Sequence, residues 1–165
     1  MIRLLLIQCA AFAAMAAGGE ATAAPCPRMM PASGQLSSGF GMRHGELHSG
    51  VDLRAPIGHT VRAAAGGKVV RAARYFDYGL MVEVEHADGS RARYAHLSRL
   101  SLGATVGAMV ASGQPIGAVG RTGRTTGPNV HVELRRRGQP VDPWPWLTGA
   151  ACAAPNEVAS AVDTR

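Results

Sequence analysis

Leu80-Met81-Val82-Glu83-Val84-Glu85-His86, then Ala87-Asp88-Gly89-Ser90, then Arg91-Ala92-Arg93-Tyr94-Ala95-His96 is the stretch whose reading decides the fold. Leu80 to His86 reads as a strand and Arg91 to His96 as the strand that returns, because Asp-Gly between them tolerates the positive φ of a tight hairpin. Working outward, further strands are expected at Gly67 to Ala72, Val106 to Val110, Pro115 to Val119 and Val130 to Arg135, each bounded by Gly or Pro. No stretch from Ser33 to Leu147 sustains helical periodicity, and none repeats another. The expectation is one compact, mainly antiparallel all-β domain over 33–147.

The N-terminus reads as an address. Arg3 gives a positive n-region, Leu4 to Ala17 is apolar apart from Gln8, and Ala21-Thr22-Ala23 offers a small-x-small cleavage pattern. The apolar run falls short of the roughly 20 residues that span a membrane. Residues 1–23 are therefore expected to be a cleaved export signal, with a periplasmic or secreted product and no stable membrane span. Cys9 and Cys26 raise lipidation, but Gln8 and Pro25 are poor neighbours for it and Cys9 comes too early. Residues 24–32 form a short N-terminal segment, and 148–165 is expected to be a disordered tail. Cys26 and Cys152 flank the domain. In an oxidising compartment they either pair and tie its ends together or remain two thiols in the tails.

The formal net charge of +6 comes almost wholly from arginine, since Lys68 is the only lysine. Outside the cytoplasm such a balance suits a polyanionic surface such as the cell wall or membrane headgroups. Nucleic acid is not expected, because the chain carries no basic arm or aromatic ladder. Arg135-Arg136-Arg137 before Gly138 reads as a solvated strand end.

Four segments carry residues suited to chemistry. In His48-Ser49-Gly50-Val51-Asp52, Gly50 and the downstream Pro56 and Gly58 argue for a loop entering a strand rather than a helix. Tyr94-Ala95-His96-Leu97-Ser98 ends the return strand of the hairpin. Gly123 to Pro128 is a turn that feeds Asn129-Val130-His131-Val132-Glu133. There Asn129, His131 and Glu133 fall on one strand face, and Val130, Val132 and Leu134 on the other. That polar face is a site candidate, and it is also what an edge strand would show.

Taken in order, Ser38-Gly39-Phe40-Gly41-Met42-Arg43, His48 to Asp52, Ala55-Pro56-Ile57-Gly58, Tyr94 to Ser98, Gly113-Gln114-Pro115-Ile116-Gly117 and Thr126-Gly127-Pro128 through His131 resemble the lysostaphin-type (LytM-like) zinc metallopeptidases. The resemblance spans Ser33 to Leu147. It implies a split-barrel or sandwich domain with a substrate groove, one zinc ion on His48, Asp52 and His131, and hydrolysis of peptide bonds in peptidoglycan stem peptides or cross-bridges. Two imidazoles and a carboxylate suit a catalytic zinc, because three protein ligands leave a position open. The same set can also hold Fe(II).

The resemblance further implies two catalytic histidines. One matches His96. The other falls at Asn129, where an amide cannot carry a proton and is left to orient water or donate to an oxyanion. Two readings follow: a metalloendopeptidase with a variant site, or a wall-binding domain or activator with an amidase as partner. His44, His59 and His86 read as surface residues. Tyr75 and Tyr78 either border the groove or pack a loop, and Trp144 and Trp146 are expected to pack the edge of the core.

Overall fold

The computed structural model describes residues 29–149 other than 44. The expected export signal, Cys26, Cys152, His44 and the tail from residue 150 onward lie outside the described residues. Among the described residues no helix is long and apolar enough to cross a membrane.

The fold is mainly antiparallel β, as expected. The hairpin read from the sequence is present: β7 (Leu80–Glu85) pairs with β8 (Arg91–Leu97) across the Asp88-Gly89 turn, Glu85 opposite Arg91. These strands sit in a large sheet of order β1 (Gln35–Ser38), β4 (Val51–Arg54), β12 (Asn129–Arg136), β8, β7, β6 (Gly67–Arg74) and β10 (Met109–Val110). β13 (Gln139–Val141) continues beside β12. A smaller sheet joins β5 (Thr60–Arg62), β11 (Pro115–Ala118) and β9 (Arg99–Leu100). A hairpin of β2 (Gly41–Arg43) and β3 (Glu46–His48) stands apart.

The alternation of strand side chains builds the core. Val51 and Leu53 of β4, Val82 and Val84 of β7, Tyr94 of β8 and Val130, Val132 and Leu134 of β12 join Val61 and Ile116 of the smaller sheet in one buried cluster. The buried Tyr94 hydroxyl accepts the Ala64 N–H at 2.8 Å, so this polar tip in the core has a partner. Trp146 and Leu147, in the single-turn helix α1 (Trp144–Leu147), close the C-terminal end.

Several expectations need correction. β12 is not an edge strand: β4 and β8 flank it, and both of its faces are buried. Asn129 and Arg136 belong to it, one residue beyond each expected end. The strand expected at Val106 to Val110 shrinks to two residues, because Gly107 at φ +92° turns the chain there. His59 is exposed as expected, but His86 is not at the surface. Its Nδ1 donates to the Gly66 carbonyl at 2.8 Å and its ring lies against Trp146, so it is a core residue. Arg135 leaves the solvated run to bind Glu133 at 2.8 Å, whereas Arg136 and Arg137 are exposed.

Candidate metal centre

Backbone register brings the first two expected ligands together. Asp52 of β4 and His131 of β12 are direct partners across the strand pair, pointing to the face opposite the hydrophobic core. On the other side His131 faces Ala95 of β8, whose methyl leaves room for the imidazole. His48 arrives at the end of β3. The Gly50 link back into β4 must be bare: a Cβ there would lie 2.3 Å from the Val132 carbonyl oxygen and 2.9 Å from the His131 ring.

Three donor atoms converge. His131 Nδ1 lies 2.8 Å from Asp52 Oδ1 and 3.1 Å from His48 Nε2, and His48 Nε2 lies 3.3 Å from the same Asp52 oxygen. A tetrahedral zinc with bonds of about 2.0–2.1 Å needs donors about 3.4 Å apart, so this corner fits the ion once its closest pair opens by about 0.6 Å. The outer nitrogen of His48, Nδ1, faces the Gly39 carbonyl at 2.7 Å. The Arg43 guanidinium, which only donates, approaches the same nitrogen, and Nε2 is the atom that faces the corner. Burial works against a charge on His131, but the Asp52 and Glu133 carboxylates outweigh it and raise the ring's pKa.

Glu133 lies beneath the corner with no exposed surface. Its Oε1 accepts from the Ser49 hydroxyl and from the Tyr78 hydroxyl at 2.7 Å; its Oε2 accepts from Arg135 at 2.8 Å. Burial alone would raise this carboxyl, yet hydrogen bonds from His131, Ser49, Tyr78 and Arg135 hold it at about 2. Arg93 connects Glu133, at 3.6 Å, to Glu83, at 2.9 Å, and extends the charged ladder into β7.

His96 reaches the site through a break in the ladder. Leu80 pairs with Leu97 and Val82 with Tyr94, so Ala95 and His96 together oppose Met81 in a β-bulge. His96 takes φ +60°, the left-handed region that a non-glycine residue rarely enters. Regular alternation would send its side chain to the core; the bulge turns it toward His131, ring centroids 5.8 Å apart. Its Nδ1 donates to the Thr122 carbonyl at 2.8 Å, which leaves a lone pair on Nε2. Burial lowers its pKa below the ordinary imidazole value.

His48, Asp52, His96 and His131 line a groove of about 530 Å³ whose walls include Leu47, Tyr78 and Arg124. Asn129 lines it too, with its amide Nδ2 donating to Thr125 Oγ1 at 3.1 Å. Tyr78 borders the groove, whereas Tyr75 carries Arg71 over its ring at 4.5 Å. Sequence reasoning gave no part to Ser49, Arg93 or Thr122. Each acts through a partner 25 or more residues away or across strands, and no local pattern marks such a contact.

The sequence and the fold have known relatives. Residues 46–143 match Peptidase family M23. The chain is 44% identical over 115 residues to the DD-carboxypeptidase/endopeptidase Mpg of Neisseria meningitidis serogroup B, covering 66% of this chain and 26% of that one. It is 41% identical over 104 residues to the murein hydrolase activator EnvC of Escherichia coli, covering 62% and 24%. It thus spans about a quarter of the length of these curated relatives. The catalytic domain of the antimicrobial peptidase lysostaphin from Staphylococcus simulans superposes with a TM-score of 0.65 at 32% identity, over 70% of this chain and 92% of that one.

Proposed function

The chain belongs to peptidase family M23, and on that premise we propose that it is an exported zinc metalloendopeptidase cutting peptide bonds in peptidoglycan stem peptides or cross-bridges. The observation that carries this reading is the convergence of one atom each from His48, Asp52 and His131 within 4.8 Å of one another. These three residues would hold one zinc ion. Bound there, zinc supplies a Lewis acid that acidifies water and polarises a carbonyl.

The chain's own residues supply the rest. The Nε2 lone pair of His96 accepts a proton from the attacking water and returns it to the leaving amine nitrogen, a role its lowered pKa suits because the ring stays neutral. Asn129 cannot share that traffic. One of its amide hydrogens is held by Thr125, and the group is left to orient rather than to transfer. Tyr78 stays a neutral phenol, its pKa raised by burial and by Glu133, and its ring stands 6.1 Å from that of His131 at the groove wall. General acid–base catalysis contributes about 10²–10⁴-fold. With one participant replaced, the account allows a slower enzyme rather than none. The basic charge of the chain suits an anionic wall.

A second reading rests on Asn129 together with the 41% identity to a murein hydrolase activator: the domain binds the wall or activates an amidase. Two assays separate the readings. Release of new amine termini from purified peptidoglycan by the zinc-loaded chain, lost in Asp52→Ala, supports the enzyme. Faster turnover of a purified periplasmic amidase, with no such release by the chain alone, supports the activator.

A further inference from the structure

We infer that Arg54 heads a subsite for a free carboxylate of the substrate, one step along the β4–β12 ladder from the metal corner. The subsite presupposes the peptide groove proposed above and names a chemical group that the bound peptide carries there.

Strand register puts Arg54 there. Asp52 and Arg54 are two residues apart on β4, so their side chains share the face that carries the metal corner, about 6.5 Å of backbone apart. Across the ladder Arg54 is the partner of Asn129, as Asp52 is of His131. On the outer side a bulge in β1 sets Ser37 and Ser38 together against Asp52. Ser37 spends its hydroxyl on the Asp52 carbonyl at 3.1 Å. The Ser38 hydroxyl, half-buried, has no such partner among the described residues.

Ser38, Arg54 and Pro128 wall a cleft of about 150 Å³ that shares Arg43, Asp52 and Asn129 with the main groove. It has room for a carboxylate and the atoms beside it. Its one acidic side chain, Asp52, is already engaged, with Oδ1 against His131 and His48. Among the described residues no carboxylate lies within ion-pairing distance of the Arg54 guanidinium. The other end of the groove is the opposite case. There Arg124 lies 3.7 Å from Glu46 and 3.8 Å from Asp77, so two acids outweigh its charge. Of the two ends, the Arg54 end therefore offers an uncancelled cation. A guanidinium takes a carboxylate through two parallel N–H donors, and a peptide offers that group at its C-terminus or on an acidic side chain.

The test reads the subsite through its own signals. Stem tetrapeptide prepared from purified peptidoglycan is titrated into the ¹⁵N-labelled chain in three forms: with free carboxylates, with a C-terminal amide, and with its other carboxylates amidated. The free form should shift the backbone amide signals of Ser38 and Arg54. An amidated form should bind about tenfold more weakly, and which of the two does so names the carboxylate. Arg54→Gln should weaken the free form by the same factor and leave that amidated form unchanged. Arg136→Gln, which removes the same charge from an exposed position on β12, should keep the wild-type preference. Equal binding of all three forms to the wild type, or no shift at Ser38 and Arg54, would overturn the inference without any variant. So would a preference that Arg136→Gln abolishes as fully as Arg54→Gln, since that marks net charge rather than a subsite. Binding is read whether or not a bond is cut, so a chain that releases no muropeptides overturns the enzyme reading while these shifts still decide this one.

Discussion

His131 and Asp52 are register partners on the antiparallel strands β12 and β4, and that pairing sets Nδ1 and Oδ1 2.8 Å apart without help from any loop. Two of the three proposed ligands are thus placed by direct strand pairing. His48, at the end of the β2–β3 hairpin, is the ligand that has to be brought in.

Metal removal follows from this. Zinc bound only by the folded state should stabilise it by about 2.7 kcal/mol at a free concentration one hundred times its Kd. Asp52→Asn should bind zinc weakly and lose that increment. Thermal midpoints with and without a chelator check it: the wild type should drop on chelation and Asp52→Asn should not.

Gly50→Ala should injure the fold and the site together. The new methyl meets the Val132 carbonyl oxygen and the ring of His131, one of them backbone that cannot swing away. A loss of about 1–3 kcal/mol is expected, as for overpacking elsewhere, with weaker zinc binding. Denaturant midpoints and a zinc titration measure the two effects.

His96→Asn is the informative change at the bulge, because asparagine tolerates the left-handed backbone at φ +60°. The fold should survive, and peptidoglycan cleavage should fall by about 10²–10⁴-fold. The pH profile carries a sign as well. His96 works as a base in its neutral form, and burial lowers its pKa, so the neutral form persists as pH falls through the ordinary imidazole value. The acid limb of kcat/KM should therefore lie below that value.

Tyr94 governs alkaline stability. Burial raises its pKa in the folded state, so its contribution is complete below the unfolded phenol's value of about 10 and is lost as pH rises beyond it. Tyr94→Phe should lose part of that alkaline decline. It should also cost about 1–3 kcal/mol at neutral pH, because the Ala64 N–H loses its partner. Urea unfolding of both proteins at neutral and alkaline pH measures both terms.

How much of this was legible in the sequence depends on the range of the interaction. The hairpin around Asp88-Gly89 was readable because a turn type is a local matter. The faces of β12 were readable because Val130, Val132 and Leu134 alternate with Asn129, His131 and Glu133. Between Gln35 and Arg62 only the entry into β4 was readable, from Gly50; the other strands there are three or four residues long, too short for a period to appear. The turning of His96 toward His131 was also hidden, since a bulge is set by pairing with Met81 and not by the residues beside it. His86 sits next to a turn and reads as surface, yet Gly66 and Trp146 cover it from distant positions. The ordered set of motifs pointed to the metal corner. It said nothing of the donors around Glu133.

The most direct test of the account measures zinc content and the muropeptides released from purified peptidoglycan, side by side, for the wild type, His48→Ala and Asn129→His. The account predicts one zinc per chain with measurable release for the wild type, neither for His48→Ala, and faster release for Asn129→His. One zinc per chain with no release from the wild type or from Asn129→His would contradict it.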